Sequence, residues 1–179
     1  MNRAQVIDRL DRFEGRIPHM YRCTGGEVTI GVGHAIQSED EAEALAWDQP
    51  AAVADDYQRV ATAEPGLVAG AYADLSTCRM GDTEITRLCD EDVSRFESQL
   101  KREFPQWDSY PDVVQQALFD MAFNLGVAGL KKFVNMLAAV DIGDWETAAK
   151  ECHRKGIPES RNEETASLFR SAGKEGQNG

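Results

Sequence analysis

The chain has 179 residues and carries 31 Asp and Glu against 19 Lys and Arg, a formal net charge of −12. It is 42% hydrophobic and 28% charged, with only 15 Gly and 6 Pro, so it can bury a core, and neither global disorder nor collagen-like structure fits. So large an acidic excess argues against nucleic acid or an anionic membrane as partner, because phosphate binding depends on Lys and Arg. No apolar stretch is expected to approach the roughly 18 residues of a membrane span. The opening MNRAQVIDRLDRFEG alternates charged and apolar residues and does not read as a signal peptide. Cys23, Cys78, Cys89 and Cys152 are too few and too scattered for a disulfide scaffold and form no C-x-x-C pair. Cys152-His153 lacks the spacing of a zinc site, so neither a metal nor another cofactor is expected.

In chain order, residues 3–14 place Val6, Ile7, Leu10 and Phe13 on one stripe of an amphipathic helix, with Gly15 as its stop. Residues 20–34 read as two short strands joined by a glycine turn. In the second, Val28, Ile30 and Val32 share a core face, while Thr29, Gly31 and Gly33 share a face of bare backbone and one hydroxyl that a ligand could approach closely. Residues 38–63 are rich in Ala, Asp and Glu, and Ser38 with Glu41 fits a capping box, so short, weakly apolar helices are expected there. A long stripe from Ile85 to Phe104 predicts one helix ended by Pro105, and further helices are predicted near 112–124, 129–140, 144–155 and 161–171. Trp107 and Trp145 read as core, and the tail 174–179 as flexible. The class is α+β, mainly α: a single domain over 1–173, with a small hairpin lobe over 14–80. A helical lobe over 82–173 would include the N-terminal helix, and a ligand would sit in a cleft between the lobes.

The chemistry concentrates in residues 14–34. Glu14 falls at the negative end of the first helix, where the charged carboxylate is disfavoured, which suits a proton donor. An ordinary solvated Glu near a helix end is the plainer reading of that residue alone. Glu14-Gly15, Tyr21 seven residues after the Glu, and Thr29-Ile30-Gly31-Val32-Gly33-His34 together resemble the phage-type lysozymes of glycoside hydrolase family 24, the T-even phage type. DTEITRLCDEDV resembles the start of that family's long interlobe helix, and QQALFDMAFNLG the helix lining its other cleft wall. SRNEETASLFRSAG resembles its Arg-Arg-x-x-Glu segment, with Ser160 in place of the first Arg.

The resemblance implies a lysozyme-like two-lobed fold and a muramidase that cleaves the β-1,4 bond between N-acetylmuramic acid and N-acetylglucosamine. Carried over by position, Glu14 would be the general acid and Thr29 would hold the attacking water. Asn124 would bind substrate amides, Gly31 would lie against the sugar, and Tyr21, His34 and Arg161 would support the site, Arg161 as an ion-pair partner of Glu14. The family's second catalytic residue, an Asp nine positions after the Glu, is Cys23 here. Glycosidases pair carboxylates because one donates a proton while the other activates water or offsets positive charge. Three readings stay open: Cys23 replaces the Asp, with its thiolate favoured by Arg22; another carboxylate such as Glu27 serves; or the chain is a lysozyme-fold binding or regulatory module with little turnover.

The expected partners are peptidoglycan glycan strands and a delivery partner, either a holin or secretion machinery, or else an immunity protein, with the chain itself a monomer. A phage endolysin or a secreted antibacterial effector, made in the cytoplasm and acting in the periplasm or wall of a target bacterium, would fit. Residues 37–80 exceed the family's expected connection. They are acidic and poor in strong core residues, and are expected to contribute little burial while extending a cleft wall or docking a partner.

Overall fold

A computed structural model describes residues 1–175. The order of elements is α1 (Arg3–Glu14), β1 (Ile17–Arg22), β2 (Val28–Gly31), β3 (His34–Ile36), α2 (Glu39–Ala44), α3 (Val53–Thr62) and α4 (Asp82–Glu103). There follow α5 (Asp112–Leu130), α6 (Val134–Asp141), α7 (Trp145–Glu151) and α8 (Glu159–Glu175). The fold is therefore α+β and mainly helical, as the sequence predicts. The chain forms two compact units, Ile7–Val93 on one side and Met1–Val6 with the residues from Ser94 onward on the other.

In the Ile7–Val93 unit, α1 ends as the sequence dictates. Gly15 adopts φ 76° and its N–H donates to Asp11 O at 3.1 Å, the single-bond glycine stop of a helix C-terminus. Arg16 then turns back. Its Nη1 donates to the Asp11 carboxylate at 3.1 Å, and its Nη2 donates to Asp82 O at 3.1 Å and Thr86 Oγ1 at 2.8 Å, tying the end of α1 to the start of α4.

The sheet has three antiparallel strands in the order β1-β2-β3, one more than the expected hairpin. Tyr21 pairs with Thr29 and Arg22 with Val28, while Val28 pairs with Ile36 and Ile30 with His34. The β1 register breaks between Ile17 and Tyr21, where Pro18 has no N–H to give the ladder and its carbonyl instead accepts from Met80 N at 2.8 Å. The third strand escaped the sequence reading because at three residues it is too short to show an alternation. Gly31 and Gly33, at φ 64° and 76°, end β2 and turn the chain into β3.

Residues 37–80 correct the sequence expectation most. Ser38 Oγ accepts from Glu41 N at 3.2 Å and Glu41 Oε2 accepts from Gln37 N at 2.7 Å, so α2 begins with a capping box offset by one residue. The segment is not a weakly buried elaboration, however. Trp47, Val53, Val60, Tyr72, Cys78 and Met80 are buried, α3 packs on β1 and β2, and a 3-10 turn at Ala69–Tyr72 packs on β1. What a hydrophobicity count misses is a polar interior. The fully buried Asp56 accepts from Thr77 N at 2.6 Å and Cys78 N at 2.8 Å and pairs with Arg59, and Tyr72 Oη donates to Glu64 O.

In the other unit, α5 is the core helix. Contrary to expectation it is, among the described residues, long and apolar enough by length and composition to cross a membrane. Its buried Gln115, Gln116 and Asp120, and its packing against α8, are those of a core helix in a globular unit. Asp120 is the hub of a buried network. It accepts from Arg161 Nη2 at 2.9 Å and Arg154 Nη2 at 2.8 Å, and Thr165 Oγ1 donates to it at 3.1 Å. The helical geometry breaks at Gly126 (φ 70°, ψ 160°), just beyond the end predicted at 124, and the helix predicted over 129–140 is split by a turn at 131–133 into the end of α5 and α6. Trp107 is buried, whereas Trp145 is half-buried. The tail predicted to be flexible from 174 is helical at Lys174 and Glu175, and 176–179 lie outside the described residues.

Candidate active site

Six of the eight site residues expected from the sequence, Glu14, Tyr21, Cys23, Thr29, Gly31 and His34, fall in the Ile7–Val93 unit; Asn124 and Arg161 fall in the other. Glu14 is the last residue of α1, half-buried, and held there by the Gly15 stop and the Arg16 clamp that follow it. Tyr21 and Thr29 face each other across the β1–β2 ladder. Burial, first, and then the nearby charges of Glu14 and Cys23 push the Tyr21 phenol far above its ordinary value, so it stays a neutral hydroxyl throughout any working pH.

The β1–β2 turn fixes the next group. Cys23 N donates to Glu27 O at 3.0 Å and Gly26 N donates to Cys23 O at 3.0 Å, closing the turn. The Cys23 thiol, the one cysteine side chain that is not buried, donates to Glu27 Oε2 at 3.0 Å. Thr29 is buried and its hydroxyl donates to Glu27 O at 3.2 Å, leaving its oxygen lone pairs as acceptors. The thiol's polar neighbour is thus a carboxylate. Arg22, expected to favour a thiolate, spends its guanidinium on Gly26 O and Ala63 O.

Gly31 does not present the bare face expected of it. All four β2 residues are buried, and a Cβ on Gly31 would meet Ile85 Cγ2 of α4 at 3.2 Å. The missing side chain makes room for α4. The strand alternation seen in sequence could not reveal this, because it does not say which element covers the second face.

His34 starts β3 and its Nδ1 lies 2.8 Å from Asp92 Oδ2 of α4; both residues are buried. Its Nε2 faces Glu41 of α2 at 3.8 Å. His34 therefore links the sheet to two helices, and Asp92 is a partner the sequence reading did not name. Asp92→Ala is expected to cost about 3 kcal/mol, because it strands a buried imidazole. That is a fall of about 10 °C in Tm for a chain of this size, readable by calorimetry. A change below about 2 °C would remove the link from the account of the fold.

Among the residues of the other unit, Arg161 is gripped by Asp120, at 3.0 Å through Nε and 2.9 Å through Nη2. A lone acid in the apolar run of α5 was the signal that could have found Asp120. Asn124 Oδ1 is buried without a hydrogen bond among the described residues, the kind of acceptor that an amide N–H of a ligand satisfies.

The sequence model of phage lysozymes matches residues 11–161. The chain is also 30% identical, over 148 residues, to the pre-baseplate central spike protein Gp5 of Enterobacteria phage T4. That similarity covers 81% of this chain and 23% of the spike protein, so the chain matches less than a quarter of its relative.

Proposed function

For a chain that belongs to the phage lysozyme family, we propose hydrolysis of the β-1,4 bond between N-acetylmuramic acid and N-acetylglucosamine in peptidoglycan. Muramidase activity on peptidoglycan is the general property of the family; the bond and the residues are our reading. The observation that carries it is the placement of Glu14 at a helix C-terminus, in the same unit as the Tyr21–Thr29 pair and the Cys23–Glu27 turn. Glu14 protonates the leaving glycosidic oxygen. The α1 stop holds it in place. Thr29 holds the water, its own proton being committed to the Glu27 carbonyl. Cys23 occupies the second catalytic position, and Tyr21 supports Glu14 as a neutral phenol.

The substrate lies outside the cytoplasm, and we infer that a partner, holin or secretion machinery, brings the enzyme to it. The likeness to a central spike protein favours an enzyme presented by a larger assembly. The test is release of new reducing ends from purified peptidoglycan by the isolated chain. Soluble muropeptides with reducing N-acetylmuramic acid termini are the expected product. Reducing N-acetylglucosamine termini would assign a different bond, and no release by folded protein would leave a glycan-binding module.

A further inference from the structure

We propose that the exposed face of α6 is a docking surface for a second copy of this chain, the two copies meeting antiparallel about a two-fold axis at Ala138. The inference does not rest on the muramidase reading, and it departs from the monomer expected from the sequence.

α6 buries Met136, Ala139 and Val140 and packs on α7. The opposite face of such a helix is ordinarily polar. Here Val134 (67% exposed), Ala138 and Ile142 (80% exposed) recur at every fourth position and lay an apolar stripe in solvent. Of the four large hydrophobic side chains exposed among the described residues, two belong to this one stripe. Beside it runs an open groove of about 410 Å³ between α6 and α7, lined by Asn135, Ala138, Ile142 and Thr147.

Two features select a second copy as the occupant. The first is the symmetry of the stripe. Val134 and Ile142 lie four residues to either side of Ala138. A two-fold axis there sets Val134 of each copy beside Ile142 of the other, while the small Ala138 lets the two helices approach closely. Ridges of residues four apart then pack beside one another, as in the commonest class of helix pair, and each copy presents the same patch to the other.

The second feature is charge. Lys131 and Lys132 precede the stripe, and Asp141 and Asp144 follow it. Antiparallel packing brings Lys132 of each copy opposite Asp144 of the other. Lys132 makes no ion pair among the described residues, whereas Lys131 is held by Glu103 at 2.7 Å. A parallel pair would instead set lysine against lysine and aspartate against aspartate. The net charge of −12 repels two copies at long range. In about 0.15 M salt that repulsion is screened beyond about 8 Å, and groups in contact are screened much less. The face is one helix of eight residues. It is smaller than the surface of a stable dimer, so the association is weak, with a Kd between about 10 µM and 1 mM.

Sedimentation equilibrium of the full chain tests this, from about 20 µM to 2 mM protein, a range that brackets the expected Kd. Reducing conditions keep the Cys23 thiol from cross-linking copies. The mass should rise from monomer towards dimer. Ile142→Lys replaces a side chain already in solvent, so the fold should hold, and Kd should rise by about 10-fold or more as a charge is buried at the contact. Val68→Lys, at an exposed apolar residue of the other unit, should leave Kd unchanged. Lys132→Glu and Asp144→Lys should each weaken association by about 3-fold or more. An equimolar mixture of those two should recover a Kd within about 3-fold of wild type, because the mixed pair alone sets opposite charges together at both ends. Each variant is melted first to confirm its fold. A wild type that stays monomeric to about 2 mM would overturn the proposal and leave the stripe to a different partner. A dimer indifferent to Ile142→Lys, or abolished by Val68→Lys, would place the contact elsewhere. A mixture that associates no better than either charge variant alone would refute the antiparallel arrangement.

Discussion

Glu14→Gln is expected to lower glycan turnover by at least about 10²-fold while the protein melts as the wild type does. The substitution preserves the shape and hydrogen-bonding capacity of the side chain and removes only the transferable proton. Stability should change little, because Gln keeps the size and packing of the side chain at the last residue of α1. The restraints around it, the Gly15 stop and the Arg16 contacts with Asp11, Asp82 and Thr86, do not involve the Glu14 carboxyl. Loss of activity with an unchanged melting curve would therefore be chemical. Turnover above a hundredth of wild type in a normally melting variant would remove Glu14 as the general acid.

The largest loss of stability is expected from Asp56→Ala. The carboxylate is fully buried among Thr77 N, Cys78 N, the Ser76 hydroxyl and Arg59, and its removal strands several donors at once. About 3 kcal/mol or more at pH 7 is the expected cost, roughly 10 °C in Tm. Burial by itself would push this carboxyl up, but the hydrogen bonds from Cys78 and Thr77 and the charge of Arg59 outweigh it and hold the group below its ordinary value. A carboxylate depressed in the folded state contributes stability that is fully present above its unfolded value of about 3.9 and is lost as pH falls through the folded value. In urea unfolding, the gap between wild type and Asp56→Ala should thus be widest near neutrality and narrow in strong acid. A gap that stays constant from pH 7 down to about pH 2 would show that packing, and not the ionised carboxylate, holds residues 37–80 together.

The helices were legible where an apolar stripe and a clear terminator coincide. Gly15 after Phe13, Ser38 before Glu41 and Pro105 after Phe104 all mark real boundaries. The reading failed where stability is local and polar. β3 has three residues and no room for a pattern. The core of 37–80 rests partly on Asp56, which in sequence looks like one more surface acid. The site divides in the same way. Glu14, Cys23 and Thr29 could be named through the family resemblance, and Glu27 as an alternative carboxylate, but that the Glu27 carboxylate meets the Cys23 thiol showed only once the turn had folded.

The sequence by itself determined the family, the mainly helical class and the candidate proton donor. Each of these rests on short-range order: the 3.6-residue stripe, the glycine stop, and the fixed interval from Glu14 to the T-I-G-x-G-H run, all of which survive any arrangement of the rest of the chain. Only the tertiary structure decided which group faces which. Ile85 on α4, more than fifty positions away, fills the space beside Gly31, and Asp92 on the same helix meets His34. The neighbour of the Cys23 thiol is likewise an anion and not the adjacent Arg22, because the chain bends at Gly25 and Gly26 and the arginine is drawn off to the carbonyl at the end of α3. Side-chain electrostatics depends on distance in space, and a turn of four residues suffices to replace the nearest charge in sequence by one of opposite sign.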